Sequence, residues 1–121
     1  MFKVGIDLVE ITRIKKSVEN QRFIERVFSK KEIALFSAKG SAFQSMAGNW
    51  AAKEAFSKSL GTGVSGFSLN EVSILRDEKG APFIELTGKA LRLAEGYEFS
   101  VSITHTDDLA QAVVIAYRKG E

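Results

Sequence analysis

The chain has 121 residues, 45% hydrophobic and 26% charged, with a net charge of +2 and no cysteine. That length closes one core, read as a single domain over residues 1–121. The lack of cysteine excludes disulfides, thiolate nucleophiles and Cys-ligated zinc or iron–sulfur centres. No apolar run approaches the length of a membrane span and no signal-peptide pattern is present, so a cytoplasmic protein with no membrane partner is expected.

The chain opens on a strand: Phe2, Val4, Ile6 and Leu8 face one way, Lys3, Gly5 and Asp7 the other. A basic amphipathic helix follows over about Glu10–Val18, then a short one over Arg22–Val27. Ser29-Lys30-Lys31-Glu32 reads as a capping box that opens a helix toward Phe36. From Arg13 to Lys31 seven basic residues face two acidic ones, a local +5. Such a one-sided patch fits an anionic partner, an acidic protein or nucleic acid, but equally a merely solvated helix face.

A long helix spans about Ala42–Leu60 and stops at Gly61. Beyond the glycine-rich stretch 61–66, Glu71–Arg76 and Pro82–Leu86 form a hairpin around Asp77-Glu78-Lys79-Gly80. A short helix over Gly88–Glu95 ends at Gly96, and Glu98–His105 pairs with Leu109–Tyr117 around Thr106-Asp107-Asp108. The fold class is α+β: helices mainly in the first half, an antiparallel sheet in the second with the first strand joining it, and a long central helix against it.

At about 100° per residue, Glu54 falls roughly 20° from Phe43 and Ala47 and about 40° from Trp50, within the apolar stripe of its own helix. A carboxylate so placed requires an ion pair, a metal or a ligand. Lys58 lies four residues on, on the same face, either as its i,i+4 partner or as a cation for phosphate charge. Asp7 either caps the next helix together with Glu10 or converges with Glu54, giving the two carboxylates that a magnesium–phosphate site needs. Gly61-Thr62-Gly63 matches no phosphate-binding fingerprint. His105, the only histidine, continues the row Phe99, Val101, Ile103 to a hairpin tip, as a core or strand-end residue or as an anion-binding one.

Four blocks occur together and in order: Val4-Gly5-Ile6-Asp7-Leu8-Val9-Glu10 with Arg13, Phe23-Ile24-Glu25-Arg26-Val27-Phe28-Ser29, Trp50-Ala51-Ala52-Lys53-Glu54-Ala55-Phe56-Ser57-Lys58-Ser59-Leu60-Gly61-Thr62-Gly63, and Val101-Ser102-Ile103-Thr104-His105-Thr106. Over nearly the whole chain they resemble the holo-acyl-carrier-protein synthases. The resemblance implies an Mg²⁺-dependent transfer of the 4′-phosphopantetheine arm of coenzyme A to a serine of apo acyl carrier protein, with release of adenosine 3′,5′-bisphosphate. It implies Asp7 and Glu54 as metal ligands and Lys58 as a pyrophosphate-contacting, catalytic lysine. It maps Gly61, Thr62, Gly63, His105 and Thr106 to the coenzyme A site and Arg13, Arg22, Phe23 and Arg26 to the carrier-protein surface. It further implies a homotrimer and no nucleic-acid partner.

One position departs from the family pattern. Where Gly-Arg-Phe-Ala-Ala-Lys-Glu is usual, this chain reads Gly48-Asn49-Trp50-Ala51-Ala52-Lys53-Glu54, which removes a cation at position 49. Two other readings stand beside the transferase: a non-catalytic module binding an acidic protein or RNA through the basic patch, and a related enzyme that splits a pyrophosphate with water as acceptor.

Overall fold

Strand β1 (Phe2–Glu10) runs directly into helix α1 (Ile11–Ser17), followed by α2 (Gln21–Val27), α3 (Lys30–Ser37) and the long α4 (Phe43–Leu60). A 3₁₀ turn at Leu69–Glu71 leads into the hairpin of β2 (Val72–Arg76) and β3 (Pro82–Leu86). Helix α5 (Gly88–Leu93) and the hairpin of β4 (Tyr97–His105) and β5 (Leu109–Arg118) complete the chain. The computed structural model describes residues 1–39, 42–61 and 66–120, so Thr62 and Gly63 lie outside the described residues.

Local chemistry sets the helix ends. The Asn20 side chain accepts from the Arg22 amide at the start of α2. The capping box read from the sequence closes both ways at α3: the Glu32 amide donates to Ser29 Oγ at 3.2 Å and the Ser29 amide to Glu32 Oε1 at 3.0 Å. Helix α4 ends at Gly61, whose φ of 76° is the left-handed conformation that glycine takes without strain, with its amide bonded to the Lys58 carbonyl. Of the two readings of Asp7, the cap does not form. Asp7 lies within β1 opposite Ala112, and no side chain caps α1.

The single antiparallel sheet expected from the sequence is two. Strands β1, β5 and β4 pair antiparallel in that spatial order, and β2–β3 is a separate two-stranded sheet. The reason lies at the edge of β2. The carbonyls of Val72 and Ile74 and the amide of Ile74 are taken by the buried side chains of Lys53, Asn49 and Glu32, so this edge has no ladder left to offer a third strand.

Helix α4 lies across the inner face of the three-stranded sheet. It meets the sheet through small residues: Ala47, Ala51 and Ala55 on the helix, Ala110, Ala112 and Ala116 on β5, all at most 1% exposed. The closest approach is at Gly5, where a methyl group would land on the Ala55 carbonyl oxygen. This close contact turns β1 over. Its inner face is Gly5, Asp7 and Val9, while the apolar row Phe2, Val4, Ile6 and Leu8 points away from the helix and is 53–74% exposed. Phe56 anchors the main core against Phe67 and Phe99, and a second cluster gathers Val27, Phe28 and Phe36 under α2 and α3. No described helix is long and apolar enough to cross a membrane.

Candidate active site

The register of β1 and the C-terminal half of α4 bring three residues read from the sequence to one place. Lys58 Nζ donates to the Ile6 carbonyl at 2.9 Å and lies 3.3 Å from Asp7 Oδ1, so the lysine pairs with the strand rather than with Glu54 in its own helix. With the Lys58 side chain 55% exposed this pair is solvent-screened and weak. Glu54 is half-buried and makes no hydrogen bond or ion pair with the described residues. Burial raises its pKa, and the charge of Asp7 raises it further, against the opposing pull of Lys58 and Arg13.

Two neighbouring carboxylates, one of them without a partner among the described residues, leave oxygen acceptors open to a cation. Both offer hard oxygen donors, the chemistry that suits Mg²⁺. Among the described residues no group of three or more metal-ligating side chains gathers anywhere. A site of two carboxylates suits an ion that completes its shell with water and substrate oxygens.

The basic segment lies on the same side. Phe23 of α2 stacks on Trp50 with ring centroids 5.7 Å apart. Together with Arg26 and Glu54 the two rings line an open groove of about 380 Å³. Arg13 is exposed and close enough to act on Glu54 electrostatically. Arg22 is exposed on α2 and does not line the groove. Gly61 is exposed at the end of α4. His105 and Thr106 are both exposed, so His105 is a strand-end residue and not a core one. Its imidazole lines a second cavity, of about 370 Å³, together with Lys39 and Arg76.

The fully buried charge of the helix is not Glu54 but its neighbour. Lys53 and Glu32 are both 0% exposed, and Lys53 Nζ lies 2.6 Å from Glu32 Oε1. The ammonium also donates to the carbonyls of Leu69, at 2.9 Å, and Val72. Burial lowers the Lys53 pKa, an effect that the Glu32 charge opposes. Glu32 Oε2 accepts from Asn49 Nδ2 at 2.8 Å and from the Ile74 amide. Asn49 Oδ1 in turn accepts from Arg76 Nη2 at 3.0 Å. No buried polar side-chain atom among the described residues lacks a partner. A one-faced reading of α4 misses this network, because small residues on several sides of the helix bury whatever stands between them. The run Ala51-Ala52 immediately before Lys53 is the signal that could have found it.

Residues 3–116 match the family described as ACPS, the 4′-phosphopantetheinyl transferase superfamily, and the chain belongs to that family of phosphopantetheinyl transferases. Among named relatives it is similar to the holo-[acyl-carrier-protein] synthase of a Thermoanaerobacter strain, at 45% identity over 93% of this chain and 85% of that protein. It is 42% identical to the enzyme of the same name from Clostridium acetobutylicum, over 93% of each chain. Among solved structures, Helicobacter pylori holo-[acyl-carrier-protein] synthase in complex with coenzyme A superposes with a TM-score of 0.83 at 37% identity, over 94% of this chain and 99% of that one.

Lys53→Met leaves Glu32 charged and buried without its partner, and is expected to cost about 3–5 kcal/mol in chemical denaturation. Replacing Lys53 and Glu32 together by apolar residues is expected to cost less than the single change. A second expectation concerns Glu54. Because its folded-state pKa is raised, the carboxylate opposes folding once ionised, a penalty absent in acid that grows as pH rises from the unfolded-state value and is full above the folded-state one. Glu54→Gln should therefore melt at a higher temperature than the wild-type chain at pH 7, and the gap should close toward about pH 4. Added Mg²⁺ should raise the melting temperature of the wild-type chain and leave that of the variant unmoved. A wild-type melting temperature indifferent to Mg²⁺ would argue against a metal at this pair.

Proposed function

We propose that this protein transfers the 4′-phosphopantetheine group of coenzyme A to a serine hydroxyl of an apo acyl carrier protein, with Mg²⁺ at Asp7 and Glu54. The observation that carries this reading is the partnerless Glu54 carboxylate facing Asp7, with Lys58 beside them. The relatives' names supply the acceptor, and the coenzyme A complex of the Helicobacter pylori protein supports the donor.

In this reaction the serine oxygen attacks the phosphorus that carries the pantetheine arm. The serine proton passes to solvent, the phosphoanhydride bond breaks, and adenosine 3′,5′-bisphosphate leaves. What a magnesium ion supplies at such a pair is neutralisation of charge on the pyrophosphate. The chain's own residues position and steer. Asp7 and Glu54 hold the metal from a strand and a helix. Lys58, already tethered to the Ile6 carbonyl, stands ready as a point charge beside the pyrophosphate. The exposed arginines Arg13, Arg22 and Arg26 draw in an acidic carrier protein, and the Phe23–Trp50 groove beside Glu54 gives it an apolar seat. Gly61, Thr62, Gly63, His105 and Thr106 complete the proposed coenzyme A site.

The outward row Phe2, Val4, Ile6 and Leu8, continued by exposed Ile115 on β5, is an apolar sheet face that supports assembly of copies of this chain, which we propose to be a homotrimer.

Two measurements test this reading. Intact-mass spectrometry of apo acyl carrier protein with this protein, coenzyme A and Mg²⁺ should show the phosphopantetheine adduct, lost with EDTA and with Asp7→Ala or Glu54→Ala while both variants keep a cooperative melt. Adduct formed in EDTA would remove the metal from this reading, and no adduct with folded protein across several carrier proteins would return the basic patch to a purely binding role. Sedimentation equilibrium should give three times the chain mass, and Ile6→Glu should reduce it to one. A monomeric wild-type chain would remove the trimer.

A further inference from the structure

The cavity at the end of β4 is separate from the carboxylate pair and differs from it in charge. Lys39, Arg76 and His105 line it, and no carboxylate does among the described residues. Its remaining walls are mixed, with polar Gln44 and Ser45 beside Gly48, Gly80, Pro82 and Ile103. Two basic side chains and an imidazole among hydrogen-bonding walls, with no carboxylate to compete, suit the phosphomonoester of a nucleotide.

Arg76 is the residue of this cavity that the rest of the fold orients. It is half-buried at the end of β2, and two of its N–H groups are held by described residues. Nη2 donates to Asn49 Oδ1 at 3.0 Å and Nη1 to the Leu75 carbonyl at 3.2 Å. Asn49 is itself held by its neighbours. It is 0% exposed, and its amide nitrogen is fixed by Glu32 Oε2 and the Ile74 carbonyl. The orientation of that amide leaves its oxygen pointing toward β2, where only a donor can meet it. No carboxylate lies within ion-pair distance of Arg76 among the described residues. A guanidinium has five donors in a planar fork, so three remain for a ligand after these two contacts.

We propose that Arg76, aimed by the buried Asn49, is the residue with which this protein recognises the phosphomonoester of its nucleotide substrate. This rests on the coenzyme A reading above, in which that group is the 3′-phosphate. It accounts for the missing cation at position 49. The neutral amide there does not bind the ligand; it serves as the acceptor that brings a cation across from another element. A lysine at position 76 would keep the charge and lose the fork that Asn49 holds.

The test is isothermal titration of the full chain, and of its Arg76→Ala and Arg76→Lys variants, with coenzyme A and with 3′-dephospho-coenzyme A in Mg²⁺. The wild-type chain should bind coenzyme A more tightly than the dephospho form. Arg76→Ala should weaken coenzyme A on the order of tenfold to a hundredfold and leave the dephospho form unchanged, so that the preference disappears. Arg76→Lys should recover only part of it. Asn49→Ala, provided it melts cooperatively, should lose the same preference without touching the ligand. Equal weakening of both ligands, or of neither, in a folded Arg76→Ala chain would overturn the assignment while leaving the transfer activity of the wild-type chain to stand. A wild-type chain that binds neither ligand would overturn both readings.

Discussion

The buried pair of Lys53 and Glu32 is the contact on which the arrangement of this protein turns. Each charge alone would be intolerable at zero exposure. Together, with the Ser29 and Ile74 amides, Asn49 and two carbonyls, they leave no donor or acceptor unmet. The pair joins three elements that share no ladder, namely α3, α4 and β2. It does for β2 what a neighbouring strand would do, taking up the polar groups along its free edge. A buried ion pair of this kind is not by itself a large source of stability. Its effect is to fix one mutual position of the elements, since displacement of any of them strands a charge.

The same helix therefore carries two adjacent ionic residues with opposite fates. Lys53 is saturated by protein groups and acts only on the fold. Glu54, one residue on, is half-buried and left without a partner, and burial makes ionisation harder for it. A rotation of about 100° between neighbours separates a charge saturated by the protein from one left without a partner. The rigidity of the first is what lets the second be held in an unfavourable state, because local strain persists only where the surroundings determine it.

Local signals in the sequence located nearly every element. The Ser29–Glu32 capping box, Gly61 after the long helix and the Asp77–Gly80 turn are short-range chemistry and lie where they were read. The convergence of Asp7 with Lys58 and Glu54 was legible too, through a motif resemblance more than through periodicity. What stayed hidden depends on surroundings that no window of sequence contains. Asp7 and Glu10 have the spacing of a cap, yet Asp7 is committed to the strand. The apolar row of β1 has the look of a core face, yet the close approach at Gly5 sends it outward. Asn49 reads as the loss of a cation until Arg76 is seen to reach it from a hairpin 27 residues further along.

The contact between Gly5 and the Ala55 carbonyl has one more consequence. Strand and helix touch there through main chain, so the gap between the strand bearing Asp7 and the helix bearing Glu54 is set by atomic radii that no substitution elsewhere can alter. Cores drift over evolutionary time as side chains exchange volume, and elements resting on side chains drift with them. A main-chain contact acts as a gauge block that exchanges of side-chain volume elsewhere leave in place, provided residue 5 has no side chain. The carboxylates of Asp7 and Glu54 can thus keep one separation while the hydrophobic interior around them is rewritten.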